Sequence, residues 1–282
     1  MADIREDTIR VLGLRLPVRE CGPENAEEAV VFLHGQPGSS RDWQRMLHRV
    51  GEFARAVAFD LPGLGKAEKP VDWDYGIGMY GTAVAGALDA LRIRRAHLVM
   101  HDLGGGAGLM WAAAHPEAFR SAVIMSTGVL IDYQWHWFAR LQRAPVIAEL
   151  MARMTTRRTF KQVMRRLNPN LPDEFINQLW EDNDLSSRRA VMRMYRAAPP
   201  TGFERLRDTF RELDRPALVL WGGTDPFVPV EQAYKQLESF PSAQVVVLEQ
   251  VGHWCWIEDD EGAARHVVPF FKQQFAPQPV TS

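Results

Sequence analysis

Asp102, Asp225 and His253 each fall at or just beyond the end of a short apolar run. Asp102 follows Leu98-Val99-Met100-His101 and is itself followed by Leu103 and Gly104-Gly105-Gly106. A strand that stops at an acid and turns at once into a helix of small residues has the pattern of a nucleophile elbow. Such a turn strains its central residue, lifts that side chain above the sheet and aims a helix N-terminus at whatever is bound there. Each of the three residues also has a plain reading. Asp102 could cap the next helix, Asp225 could shape a turn with Pro226, and His253 could be a satisfied loop histidine. Together, at three strand ends and beside His34-Gly35-Gln36-Pro37 after a fourth, they read as a catalytic constellation.

The elements that must position them follow in chain order. Thr8 to Glu20 alternates around Gly13 and reads as a hairpin. Ala29–Leu33 and Arg55–Asp60 are apolar runs suited to strands buried on both faces, and each empties into a loop of glycine and proline. Met79–Leu91 has helical spacing, and Ser121–Thr127 is a further short strand. From Leu130 to Leu213 helical patterns replace the strand signal, until Pro216–Trp221 and Gln244–Leu248 restore it. An amphipathic helix with Val267, Val268, Phe270, Phe271 and Phe275 closes the chain, ahead of a tail, 277–282, expected to be disordered. Strands alternating with helices imply an α/β fold, a mostly parallel sheet with helices on both faces. The division expected is a core of residues 1–129 and 214–282, with 130–213 inserted as a helical cap over the carboxyl edge, where ligands bind in open α/β sheets.

Bulk properties narrow the classes. The chain has 282 residues, 46% hydrophobic and 24% charged, with a formal net charge of −2, so no chain-wide basic field recruits nucleic acid or an anionic membrane. The N-terminus carries no apolar signal-like segment and no run approaches a membrane span, which points to a cytoplasmic protein. Cys21 and Cys255 are too few for a disulfide framework. Between Arg140 and Glu212 there are fifteen Lys/Arg against nine Asp/Glu, read here as solvated helix faces. No cofactor or metal ligand set is expected.

The order nucleophile, acid, histidine is that of α/β-hydrolase triads. The chain resembles that superfamily over nearly its whole length, through His34-Gly-Gln-Pro37, Asp60-Leu-Pro-Gly-Leu-Gly65, His101-Asp-Leu-Gly-Gly105, Gly222-Gly-Thr-Asp225 and Gly252-His-Trp254. Within it, the chain looks like the aspartate-nucleophile branch of epoxide hydrolases and haloalkane dehalogenases. The resemblance implies an oxyanion hole made by the backbone N–H groups of Gln36 and Leu103. Attack of a carboxylate on a saturated carbon gives an ordinary ester that water can cleave, with His253 activating the water and Asp225 orienting the imidazole.

The leaving group separates the branches. Dehalogenases of this type place Trp after the nucleophile, where this chain has Leu103. Epoxide hydrolases protonate the opening oxygen from cap tyrosines, the second followed by Arg, and Tyr195-Arg196 resembles that site. Trp135, His136 or Trp137 could supply a second cap donor, or simply pack cap against core. Met100, where epoxide hydrolases usually have Gly, favours the other branch. The expectation is an epoxide hydrolase acting with water on a small apolar or aromatic epoxide, without nucleic acid or membrane partners. The alternatives are a haloalkane dehalogenase and a ligand-binding homologue without turnover.

Overall fold

The computed structural model describes residues 3–133, 136–198 and 204–276. The expected tail, 277–282, and Trp135 lie outside them. Eight strands form a single sheet in the order β1-β2-β4-β3-β5-β6-β7-β8: β1 Arg5–Val11, β2 Leu14–Cys21, β3 Glu28–Leu33, β4 Arg55–Phe59, β5 Arg95–His101, β6 Phe119–Met125, β7 Ala217–Gly222 and β8 Gln244–Leu248. The first hairpin turns at Leu12-Gly13, both at positive φ, and pairs antiparallel. From β4 onward every pairing in that order is parallel, as strands joined by helical crossovers require.

Burial follows the sequence pattern. β4 and β7 are buried at every position, because the sheet is covered on both faces. On one face lie α1 Gln44–Gly51 and, later in the chain, the C-terminal helix; on the other lie α2 Ile77–Ala90 and α3 Leu103–Ala114. Between β6 and β7 come α4 Trp137–Arg143, α5 Ile147–Met154, α6 Arg157–Leu167, α7 Asp173–Asp182, α8 Leu185–Ala197 and α9 Glu204–Leu213. The last of these packs back on the core: Phe210 lies 6.1 Å from Phe119 and 5.2 Å from Phe240, ring centre to ring centre. After β7 come α10 Glu231–Lys235, α11 Cys255–Glu258 and α12 Asp260–Gln274. No helix among the described residues is long and apolar enough to cross a membrane.

Candidate active site

Asp102 sits between β5 and α3 at φ 47° and ψ −119°, a conformation that L residues rarely adopt. Small neighbours make the turn possible. A Cβ at Gly104 would run into the carbonyl of Leu33, and one at Gly35 into the side chain of Asp102. The loop after β3 can therefore lie directly against the elbow, and it delivers one donor: the Gln36 N–H gives a 2.8 Å hydrogen bond to Asp102 Oδ1. Leu103, named with Gln36 for this role, is the first residue of α3, whose leading N–H groups have no intrahelical partner. The helix therefore presents its positive end to the same carboxylate.

Loops from two further strands hold this arrangement. His34 Nδ1–H donates to the Gly35 carbonyl at 2.8 Å, and its Nε2 accepts from Leu61 N–H at 2.9 Å. One neutral tautomer satisfies both bonds, and burial accordingly lowers its pKa. Asp60 accepts from the Ser40 and Lys66 N–H groups, each at 2.7 Å, and so ties the loop after β3 to the loop after β4. Thr127, just past β6, donates to the Asp102 carbonyl at 2.7 Å. The sequence reading missed Thr127; its place at the carboxyl end of the neighbouring strand was the signal available.

The candidate base comes from the far side. His253 Nδ1 lies 2.8 Å from Asp225 Oδ2, with both side chains buried. Asp225 Oδ1 accepts from Phe227 and Val228 N–H at 2.8 and 3.0 Å, so the carboxylate is fixed before it orients the ring. Burial alone would lower the pKa of His253, but the charges of Asp225 and Asp102, with the Asp225 hydrogen bond, outweigh it and the pKa rises. The His253 carbonyl accepts from His101 Nε2–H at 3.2 Å and from Ser126 Oγ–H at 3.3 Å, two positioning contacts that no local sequence signal revealed.

Asp102, His253, Gln36, Tyr195 and His136 line one cavity of about 230 Å³, otherwise bounded largely by Phe138, Met151, Phe160, Met164, Phe227 and Trp254. Tyr195, on α8, is buried with its pKa raised by desolvation and by Asp102, and its hydroxyl accepts from Gln36 Nε2 at 3.4 Å. His136 is held by the Ala139 N–H on its Nδ1 at 3.3 Å, and burial depresses it to about 4, so it faces the cavity neutral with its proton on Nε2. The side chain of Trp137, like Trp135, lies outside the described residues. Among the described residues no group of His, Cys, Asp and Glu has the arrangement of a metal site.

A family model described as the alpha/beta hydrolase fold matches residues 28–260. The chain belongs to that family. It is a hydrolase fold in which the elbow carries a carboxylate. The 2-hydroxy-6-oxononadienedioate/2-hydroxy-6-oxononatrienedioate hydrolase of Burkholderia vietnamiensis is 28% identical over 274 residues, 92% of each chain. The solved 2-hydroxy-6-oxo-6-phenylhexa-2,4-dienoate hydrolase of a Rhodococcus strain superposes with a TM-score of 0.81 at 23% identity, covering 96% of this chain and 100% of its own. A solved epoxide hydrolase superposes with a TM-score of 0.80 at 19% identity, covering 96% and 99%, which shows the shared fold alone.

These relatives correct the expected function. Curated proteins similar over most of the chain's length hydrolyse hydroxy-oxo-dienoates, molecules without an oxirane. Epoxide hydrolysis is therefore overturned as the expected activity; hydrolysis is what the relatives support. The expectation failed because the residue at the elbow says little about the bond that is broken.

Proposed function

We propose that the protein is a hydrolase whose reacting group is the Asp102 carboxylate, acting with water on a small, largely apolar or aromatic-derived substrate. The observation that carries this reading is the 2.8 Å bond from Gln36 N–H to Asp102 Oδ1. In a serine elbow the backbone donors wait for an oxygen of the substrate. Here a donor already holds the enzyme's own carboxylate oxygen. The negative charge it is placed to stabilise is the one that forms on Asp102 itself, when water attacks an ester of that carboxylate.

The sequence of bonds follows. Asp102 Oδ2 attacks a carbon of the substrate, forming a C–O bond as the leaving group departs with its electron pair. His253 then takes a proton from water, whose oxygen adds to the Asp102 carboxyl carbon, and Asp225 stabilises the imidazolium. Collapse breaks the bond from Asp102 to the substrate, and His253 returns its proton to the departing alkoxide. Tyr195 and His136 face the cavity as uncharged donors placed to bind the leaving group or the substrate's polar end. Each backbone donor at Oδ1 is worth roughly 3 kcal/mol in comparable sites.

Arg188 favours a second reading. It is the only Lys or Arg lining the cavity among the described residues, and its Nε and Nη1 are occupied by the Asn183, Ala152 and Thr155 carbonyls, leaving Nη2. An arginine and a carboxylate lining one apolar cavity suit a keto acid such as the relatives' dienoates. With neither ester nor amide in such a molecule, the bond hydrolysed is a carbon–carbon bond to the keto carbon, and Asp102 would serve as the base for water.

Oxygen labelling separates the two. In a single turnover in H₂¹⁸O, the covalent route puts ¹⁸O into the peptide containing Asp102 and leaves the product unlabelled. Direct attack by water puts the label into the product instead, and that outcome overturns the covalent reading. The His253→Gln variant should in addition accumulate a substrate adduct on the same peptide, visible in the intact mass.

A further inference from the structure

α5 is built inside out. Its buried positions are Ala148 and Ala152, packed against Met192, while its large apolar side chains other than Met151 face solvent. Ile147, Leu150 and Met154, at the i, i+3, i+7 spacing of one helix face, are 50%, 56% and 65% exposed, and Val146 just before them is 76% exposed. Val163 on α6 is 46% exposed and lines the active-site cavity, as do Met151 and Thr155 at the end of α5. The patch therefore rims the cavity's mouth.

Its charge is as uneven as its polarity. From residue 137 to 167 the chain carries eight Lys/Arg and a single acid, Glu149, in a protein of net charge −2. That acid is taken by Arg196. Arg153, Arg158 and Arg166 are exposed and make no ion pair among the described residues. The sequence alone read these cations as an ordinary solvated face; the structure adds the bare apolar stripe they flank.

We propose that α5 and α6 form a docking surface for anionic lipid, with the apolar stripe entering the headgroup boundary and the arginines meeting the phosphates. Apolar helix faces flanked by cations bind membranes in this way, through buried area together with attraction to anionic lipid. Charge decides against the main competitor. A symmetric dimer through this patch would set it against itself, and cations would meet cations. Docking would also place the cavity mouth at the lipid boundary, where apolar substrates concentrate. The surface is independent of how Asp102 reacts, and its test reads vesicle binding.

The intact protein is sedimented with vesicles of phosphatidylcholine alone or mixed with phosphatidylglycerol. Binding is expected to the mixed vesicles only, weakening as salt is raised. The doubles Leu150→Glu/Met154→Glu and Arg153→Glu/Arg158→Glu should each lower partitioning by at least about tenfold. Both should keep the wild-type circular dichroism and thermal midpoint. Absence of binding, equal binding to neutral vesicles, or unchanged partitioning of either double overturns the proposal. So does a concentration-dependent dimer in analytical ultracentrifugation that Leu150→Glu/Met154→Glu abolishes, which would give the face to a second copy of the chain.

Discussion

The two ends of β5 make an instructive pair. At its carboxyl end stands Asp102, within reach of Gln36 N–H and in one cavity with His253, whose Nδ1 meets Asp225. At its amino end His97 Nδ1 lies 2.7 Å from Ser121 Oγ, and His97 Nε2 lies 3.2 Å from Glu28 Oε1. By residue type alone the second cluster is the more familiar nucleophile, base and acid. Yet Ser121 lies within β6, just past a bulge in its pairing with β5, and is fully buried, and none of the three residues lines the cavity. What the amino end lacks is a strained turn that lifts the side chain and a loop that supplies N–H donors. Only the carboxyl ends of parallel strands offer both, since there the chain turns into helix N-termini.

The comparison breaks most sharply by mutation at its two centres. Asp102→Ala should lower kcat by on the order of 10⁴ or more, as removal of a nucleophile does elsewhere, whereas Ser121→Ala should leave kcat within about twofold. Loss of activity in a folded Ser121→Ala protein, or its retention in Asp102→Ala, would reverse the assignment of the two ends. Tyr195→Phe removes one oxygen from the cavity and should slow the first chemical step by about 10²-fold, at the low end for general-acid groups. Stopped-flow single turnover measures that step directly, and an unaltered rate would remove Tyr195 from the reaction.

The amino-end cluster should instead show itself in stability. Burial, the main cause, lowers the pKa of His97 to about 4, despite the opposing pull of Glu28. The unfolded chain therefore binds a proton that the folded chain refuses between about pH 6.5 and 4. The stability this neutral histidine permits is complete above that window and is lost as pH falls through it. The loss is on the order of 3 kcal/mol, since each pKa unit corresponds to about 1.4 kcal/mol. Glu28, lowered through its bonds to Arg95 and His97 against a desolvation cost, steepens the loss in the same direction. Thermal denaturation from pH 4 to 7.5 should show this slope in the wild type and a shallower one in His97→Gln. A parallel slope would deny His97 the role.

The smallest effect concerns the elbow's strain. Glycine accepts φ 47° without a Cβ clash, so Asp102→Gly should be more stable than Asp102→Ala by about 1–2 kcal/mol. Equal denaturation midpoints would mean that the strain is relieved once the carboxylate is gone.

Much of this was legible in the chain. The apolar runs at 29–33, 55–60 and 98–101 became β3, β4 and the end of β5, because a doubly covered sheet leaves no polar positions to blur the pattern. The helix read at 79–91 runs from Ile77 to Ala90. The inserted helices were evident from the missing strand signal, but α9 was not separable from them, because its packing on Phe119 and Phe240 depends on residues far away in sequence. The reaction was misjudged for a related reason: the elbow motif names a nucleophile, and the fate of the substrate depends on a cavity assembled from several helices.

By itself, then, the sequence determined the alternation of strands and helices, the elbow at Asp102 and the candidate acid and base, because backbone sterics and hydrophobic periodicity act over a few residues. Only the tertiary structure decided that Gln36 N–H holds Asp102 Oδ1 and that Thr127 braces the elbow. It alone decided that the Ser121–His97–Glu28 cluster is sealed away from the cavity and that the large apolar residues of α5 face outward. Hydrogen bonds between strand ends tens of residues apart, and the choice of which helix face is covered, depend on how the whole chain packs, and no local window of residues records them.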